Sequence, residues 1–305
     1  MKEKIIELIK RTKIYPFLKS ILFQTKEKDY KQNLLTPLQT NKYISELLVE
    51  GKPFIMSRLG SSELSLLKSF VKKNKYTVKQ KTIIQRNAGF FPTDDKSLDM
   101  LCQLYIDVIS SIDLVGVSFI PFEDHMINSY SPNAKLTKIR NLEPYFYNEP
   151  WSKHLKGKKV LVIHPFASSI QSQFKKRKLL FKDLDVLPEF KLITYQAAQT
   201  LGGGDGTFTS WFNALETMQK DIEKLEFDIA IIGAGVYGLP LAAYIKGLGK
   251  SAIHLGGATQ MLFGVYGRRW EIHPDFKDMI NENWIKPQVD EKPKNANNVE
   301  NACYW

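Results

Sequence analysis

From Lys158 to Gly257 the chain alternates apolar runs with amphipathic ones, and nothing else in the sequence constrains the fold as much. KKVLVIHPF, FKLITYQ, DIAIIGAG and SAIHLGG are short and apolar, as buried strands are. Between them, SSIQSQFKKRKLLF, FTSWFNALETMQKDIEKL and LPLAAYIKGLG carry apolar residues at helical spacing, and ATQMLFG continues helically after the last strand. Strand–helix–strand repetition demands right-handed crossovers and hence a mostly parallel sheet flanked by helices. The expected class is α/β, of Rossmann-like build.

The first half follows the same grammar less plainly. Lys42 to Glu50 reads as a helix, and PFIMSRLG as a strand leaving into a tight turn. SSELSLLKSF reads as a helix that Ser61 or Ser62 can cap, Asp95 to Ile109 as another helix, and IDLVGVSF as a strand. The expected organisation is a basic, amphipathic, helical N-terminal segment (1–45), an α/β unit (46–287) and a polar, irregular C-terminal tail (288–305).

In the N-terminal segment, Ile5, Ile6 and Ile9 share one helical face. Leu18, Ile21 and Leu22 share another beyond Pro16. Such faces pack on the protein's own core or dip into an anionic membrane surface with lysines facing the lipid. The segment lacks the continuous apolar core of a secretory leader, and no run reaches the ~18 apolar residues of a membrane span. Cys102 and Cys303 have no metal or redox spacing, which suits a reducing cytoplasm. The formal net charge is +11, with lysines clustered in KKNKYTVKQK and KKRKLLFK. That excess favours an anionic partner. Neither zinc-finger spacing nor an aromatic-basic RNA motif accompanies it, so nucleic acid is not expected.

In parallel sheets ligands sit at the carboxyl ends of the strands. Arg58, His164, Gln199, Gly233 and His254 are expected there. Gly233-x-Gly235-x-x-Gly238 has the spacing of a dinucleotide fingerprint, but NAD or FAD binding also needs an acid at the end of the next strand. That strand ends in His254 and two glycines. The turn, Tyr237 included, is therefore read as an approach of backbone N–H groups to a phosphate at a helix start. A Rossmann oxidoreductase is the weaker alternative.

Other stretches leave two readings each. Arg58 and Glu63 in SRLGSSEL suit phosphate binding and cation ligation or base catalysis, or else an internal ion pair. Asp205 in QTLGGGDGTFTSW is a base or metal ligand on a mobile loop, or a turn residue beside Gly206. NAGFFP, with Asn87, and EPYFYNEPW offer platforms for a base or sugar, or pack as surface loops.

SRLGSSEL resembles the R-[FY]-G-D-G-E-[FL] element of bacterial glycosyltransferases with the GT-D fold. The stretch from Phe227 to Gly257 resembles their late strand–helix–strand unit. Together the similarity spans roughly residues 50 to 270. The phrases HLGGATQ and PKNANNVENACYW are similar to a bacterial subgroup associated with surface polysaccharides. The resemblance implies sugar transfer from a nucleotide-diphosphate donor to a glycan or lipid-linked glycan, at the inner face of the plasma membrane. It also implies a divalent metal, manganese or magnesium, bound through an Asp-x-Glu motif. Arg58, Gly60 and Glu63 match that motif, and Ser61 stands where the family has Asp. On this reading Arg58 neutralises the diphosphate, Glu63 holds the metal or positions the sugar, and Asp205 or His164 is the general base. Gly60, Ser61, Asn87, Gly233, Gly235, Tyr237 and His254 join Arg58 in donor binding. Ser61 also leaves open a binding module that kept the fold without the chemistry.

Overall fold

Eight short strands hydrogen-bond into one sheet, and every neighbouring pair is parallel. The computed structural model describes residues 29–201, 206–271, 273–292, 296 and 303–305. The helices expected over residues 1–25, and Asp205, lie outside the described residues.

The strands are β1 (Leu34–Leu35), β2 (Ile55–Ser57), β3 (Leu114–Val117), β4 (Lys135–Lys138), β5 (Lys159–His164), β6 (Lys191–Gln196), β7 (Ile229–Ile232) and β8 (Ser251–His254). Their order is β1-β4-β3-β2-β8-β7-β5-β6. The first four strands in sequence thus form one wing and the last four the other. The wings meet at β2 and β8, where Ile55 pairs with Ala252 and Met56 with Ile253.

Successive residues of a strand point to opposite faces, and both faces are covered. In β5, Leu161 and Ile163 join one core and Val160 and Val162 the other; in β7, Ala230 and Ile232 separate likewise from Ile229 and Ile231. The first core receives α2 (Ser61–Val71), α3 (Val78–Ala88), α4 (Asp95–Ile109), α5 (Glu123–Tyr130), α7 (Trp211–Glu223) and α8 (Gly238–Gly247). The second receives α1 (Pro37–Glu50), α6 (Ala167–Phe174) and α9 (Ala258–Leu262). Burial on both faces explains why the central strands read as unbroken apolar runs.

Local chemistry sets the helix starts. Thr36 with Gln39, and Thr77 with Gln80, form capping boxes at α1 and α3. Asp94 and Ser210 accept from the first-turn N–H groups of α4 and α7.

The sheet begins earlier than residue 46, because β1 pairs with β4 and α1 starts at Pro37. The helix expected over SSIQSQFKKRKLLF ends at Phe174, and a 3₁₀ turn at Arg177–Leu179 follows. EPYFYNEPW holds one 3₁₀ turn and opens a second at Trp151; Tyr145 and Trp151 are buried in packing, while Phe146 stays exposed. Both cysteines are buried.

Candidate functional site

The exits from the four central strands alternate between faces. From β2 the chain passes to α2 on the first face, and from β8 to α9 on the second. From β7 it passes to α8 on the first face, and from β5 to α6 on the second. Neighbouring strands whose connections leave on opposite faces open a crevice at their carboxyl ends. A cleft of about 670 Å³ occupies that place. Arg58, Asn87, His164, Gly233, Gly235 and Tyr237 line it, as the sequence suggests.

The glycine turn after β7 is shaped by close approach. A Cβ on Gly233 would stand 2.5 Å from Cδ2 of His164 and 2.7 Å from the Gly256 carbonyl. Gly235 adopts φ +53, a left-handed conformation that glycine adopts without steric cost. A 3₁₀ turn at Gly235–Tyr237 leads directly into α8. The Gly233 N–H is used by the Ile163 carbonyl, whereas those of Ala234, Gly235 and Val236 meet no carbonyl of the described chain.

Buried hydrogen bonds hold this turn. Tyr105 of α4 donates to the Val236 carbonyl at 2.8 Å. Thr200 Oγ1 donates to the Gly89 carbonyl at 2.7 Å and lies 2.8 Å from the Tyr237 hydroxyl, so it accepts from Tyr237. The Tyr237 ring stacks on Trp211 at 4.9 Å, and burial raises the tyrosine pKa. Tyr237 thus supports the turn while its ring forms part of the wall.

Arg58 leaves β2 and crosses to the other wing. A Cβ on Gly256 would lie 3.0 Å from its Nε, so the guanidinium rests against a residue that must lack a side chain. Its one hydrogen bond among the described residues is a 3.4 Å contact to the Leu59 carbonyl, and no described carboxylate pairs with it. The Arg58–Glu63 ion pair, one of the two readings of this turn, does not form among the described residues. Glu63 is half-buried, with its carboxylate folded back over Gly60, where a methyl group would collide with it. Gly60, exposed Ser61 and Glu63 lie outside the cleft walls.

The two histidines differ from their sequence reading. Nδ1 of His164 accepts the Phe166 N–H at 2.9 Å, which leaves the ring proton on Nε2. Burial pulls its pKa from 6.5 to about 3. A ring held neutral with its proton on Nε2 is a hydrogen-bond donor and a poor base, which corrects the general-base assignment. His254 lines no part of the cleft. Its Nδ1 lies 2.9 Å from Ser57 Oγ, and its Nε2 is buried against Gly238 with no partner among the described residues. Burial first, and the Arg58 charge second, bring its pKa to about 3.

The resemblance implies a divalent metal. Among the described residues no three His, Cys, Asp or Glu side chains form a metal-binding group. Ser61 offers no carboxylate, and Glu63 is turned over Gly60. The described residues do not make a metal site.

Sequence reasoning missed part of the wall. Thr200, Gln260, Tyr304 and Trp305 all line the cleft. The last two belong to the tail, which returns through bonds from Arg269 N to Cys303 O at 2.9 Å and from Gln260 Nε2 to Tyr304 O at 3.3 Å. A second cleft, of about 930 Å³, lies beside the first and shares Arg58, Gly257 and Tyr304 with it.

Among solved structures the chain is similar to a selenomethionine-substituted domain of unknown function 1792, at 14% identity and a TM-score of 0.47, covering 78% of this chain and 83% of that one. It is also similar to a structure described as showing that the highly conserved domain of unknown function 1792 has a distinct glycosyltransferase fold. There the identity is 14% and the TM-score 0.43, with 77% of this chain and 81% of that one covered. No family profile matches the chain, and no curated protein does.

Proposed function

We propose that this chain is a glycosyltransferase that draws a sugar from a nucleoside-diphosphate donor bound at the strand ends. The observation that carries the reading is the charge pattern of the first cleft. Among the described residues its walls hold one arginine, the Ala234 and Gly235 N–H groups, which meet no carbonyl, and no side-chain carboxylate. Diphosphate oxygens are acceptors that such a setting complements. The Asn87 and Gln199 amides and the Tyr304 and Trp305 rings supply polar and stacking surface for a base, ribose or sugar.

NAD and FAD are less well served, because β8 runs out into His254, Leu255 and Gly256 where a ribose-binding acid would stand. In this reading Arg58 neutralises the diphosphate and His164 donates a hydrogen bond. Asp205, in the stretch that follows Leu201, is the base. The acceptor is a glycan or lipid-linked glycan of a bacterial surface polysaccharide, and residues 1–25 dock on the anionic inner face of the plasma membrane.

A thermal-shift panel of nucleoside diphosphates, nucleotide sugars, NAD and FAD, each with and without manganese or magnesium, tests the reading. A diphosphate ligand at one hundred dissociation constants stabilises by about 2.7 kcal/mol. A response to NAD or FAD with none to any nucleoside diphosphate ends it. Among responsive donors, Asp205→Asn is expected to abolish transfer while leaving donor binding intact.

A further inference from the structure

The two edges of the sheet are finished differently. At one, β1 is only two residues long, and shortness is a common protection for an edge. At the other, β6 runs for six residues, Lys191-Leu-Ile-Thr-Tyr-Gln196. It contains no proline, and its one-to-one register with β5 from Lys191 to Gln196 leaves no bulge. Its one charge, Lys191, stands at the end. The devices that keep a long edge from pairing are therefore nearly absent from β6.

The hydrogen bonds show which groups are free. Lys191 N donates to the Lys158 carbonyl at 2.9 Å, and Ala197 N to the His164 carbonyl at 3.3 Å. Lys191, Ile193 and Tyr195 therefore bond to β5, and the N–H and C=O groups of Leu192, Thr194 and Gln196 point the other way. None of these six groups has a partner among the described residues. The side chains end unfinished as well. Ile193 and Tyr195 are half-buried at the margin of the first core, and Leu192 at the margin of the second. Tyr195 is fixed in place by its hydroxyl, which donates to Asp221 of α7 at 3.1 Å.

We propose that β6 is the interface through which two copies of this chain join, antiparallel about a twofold axis, into one continuous sheet. The free groups dictate the register. Bonded positions come from Leu192, Thr194 and Gln196 of each chain. The pairing that uses all of them sets Thr194 opposite the partner's Thr194, and Leu192 opposite the partner's Gln196. A slip along the strand leaves some of these groups over. The same register puts Ile193 beside the partner's Tyr195, a β-branched residue against an aromatic one in the closer, non-hydrogen-bonded type of pair. That contact occurs twice and joins the two first cores. Lys191 falls opposite the partner's Ala197, so it meets no like charge. The strand is complementary to itself in backbone, apolar side chains and charge, which is why a second copy is its occupant. Because the strands run in opposite directions, the two clefts open at opposite margins of the joined sheet. The proposal holds whatever ligand those clefts take.

Analytical ultracentrifugation of the full chain from about 1 to about 100 μM tests this. A species of twice the 35.1 kDa chain mass is expected at the upper end. Thr194→Pro removes an N–H that β5 does not use, a change that edge strands tolerate. It should leave thermal unfolding nearly unaltered and weaken association about tenfold or more. Thr194→Lys and Thr194→Glu each set like charges face to face across the axis, and each alone should associate about tenfold more weakly than the parent. Mixed in equal amounts, the two should recover the dimer, because lysine then faces glutamate. That recovery requires an axis at Thr194, and it decides the question even where Thr194→Pro fails to fold. A chain that stays monomeric throughout the range, a dimer indifferent to Thr194→Pro, or charge variants that do not recover on mixing overturns the proposal.

Discussion

The carboxyl end of β3 and the carboxyl end of β7 solve one problem in opposite ways. Both leave backbone N–H groups pointing out of the sheet. After β3, Glu123 fills the place with its own carboxylate, accepting from Ser118 N at 3.0 Å, Ile120 N at 3.3 Å and Tyr30 Oη at 2.8 Å, and it is wholly buried. The end of β5 is treated likewise. Glu291 reaches from the tail to accept from Ser168 N at 2.8 Å, Ser169 N at 3.1 Å and the Ser169 hydroxyl. After β7 no described carboxylate arrives, and Arg58 stands nearby without one. Where the chain needs only to close its own backbone it supplies the anion itself, and the end left open is the one that can take an anion from outside.

The largest test removes a resident anion. Glu123→Ala orphans three donors around a wholly buried site, the buried Tyr30 hydroxyl and the half-buried Ser118 and Ile120 amides, and urea unfolding should show a loss of about 4 kcal/mol. Glu291→Ala, at a helix start where Ser168 is exposed and Ser169 buried, should lose about 2 kcal/mol. A loss below about 1 kcal/mol in the first variant would break the comparison, because the β3 end would then tolerate being empty. On the open side, Arg58→Gln should weaken nucleoside-diphosphate binding by about 2–3 kcal/mol in calorimetry while leaving the unfolding midpoint nearly unchanged. Unaltered affinity would place the ligand elsewhere.

The third test uses pH. His164 and His254 have folded pKa values near 3 against 6.5 unfolded. Below pH 6.5 the unfolded chain binds protons that the native one refuses, so stability present above pH 6.5 is lost as pH falls toward 3. Between pH 7.5 and pH 5 each histidine accounts for about 2 kcal/mol of that loss. Glu123 and Glu143, whose pKa values burial raises, act in the opposite sense: their stabilisation is greatest below 4.5 and fades as pH rises. Comparison with His164→Gln isolates one histidine, and a variant with the same pH dependence as the parent would show that His164 is not held neutral. The smallest effect concerns the turn itself. Gly235→Ala has room, since its Cβ would meet only the Ala88 carbonyl at 3.7 Å, so it should cost about 1 kcal/mol for the left-handed backbone alone. A much larger loss in thermal unfolding would mean that the open end is more tightly filled than the structure shows.

Much of this was legible in the sequence where burial imposed a simple pattern. β5, β7 and β8 are covered on both faces and therefore read as apolar runs with helices between. β1 has two residues, and β4 is KLTK with exposed lysines at both ends, so neither carries a periodic signal. α3 was hidden in a lysine-rich stretch, although the Thr77–Gln80 capping box marked its start. Arg58, Asn87, His164 and the glycine turn were legible as cleft residues because strand ends can be located from strands. Tyr304 and Trp305 were not, since their place depends on a long-range return of the tail that no local pattern encodes. Nor could the sequence distinguish a histidine available for chemistry from one whose Nδ1 is engaged by the Phe166 amide.

The meeting of the wings at β2 and β8 has a kinetic side. Within each wing the paired strands lie closer in the chain, the widest pairing being Leu34 with Leu136, but Ser57 and His254, which meet at the seam, are 197 positions apart. Contacts of such separation pay their loop-closure entropy late. Arg58 comes from one wing and the glycine turn from the other, so the first cleft comes into being only as the seam closes. A ligand that spans it acts as a clasp, slowing the parting of the wings, and the appearance of ligand binding during refolding would time the moment at which the two halves join.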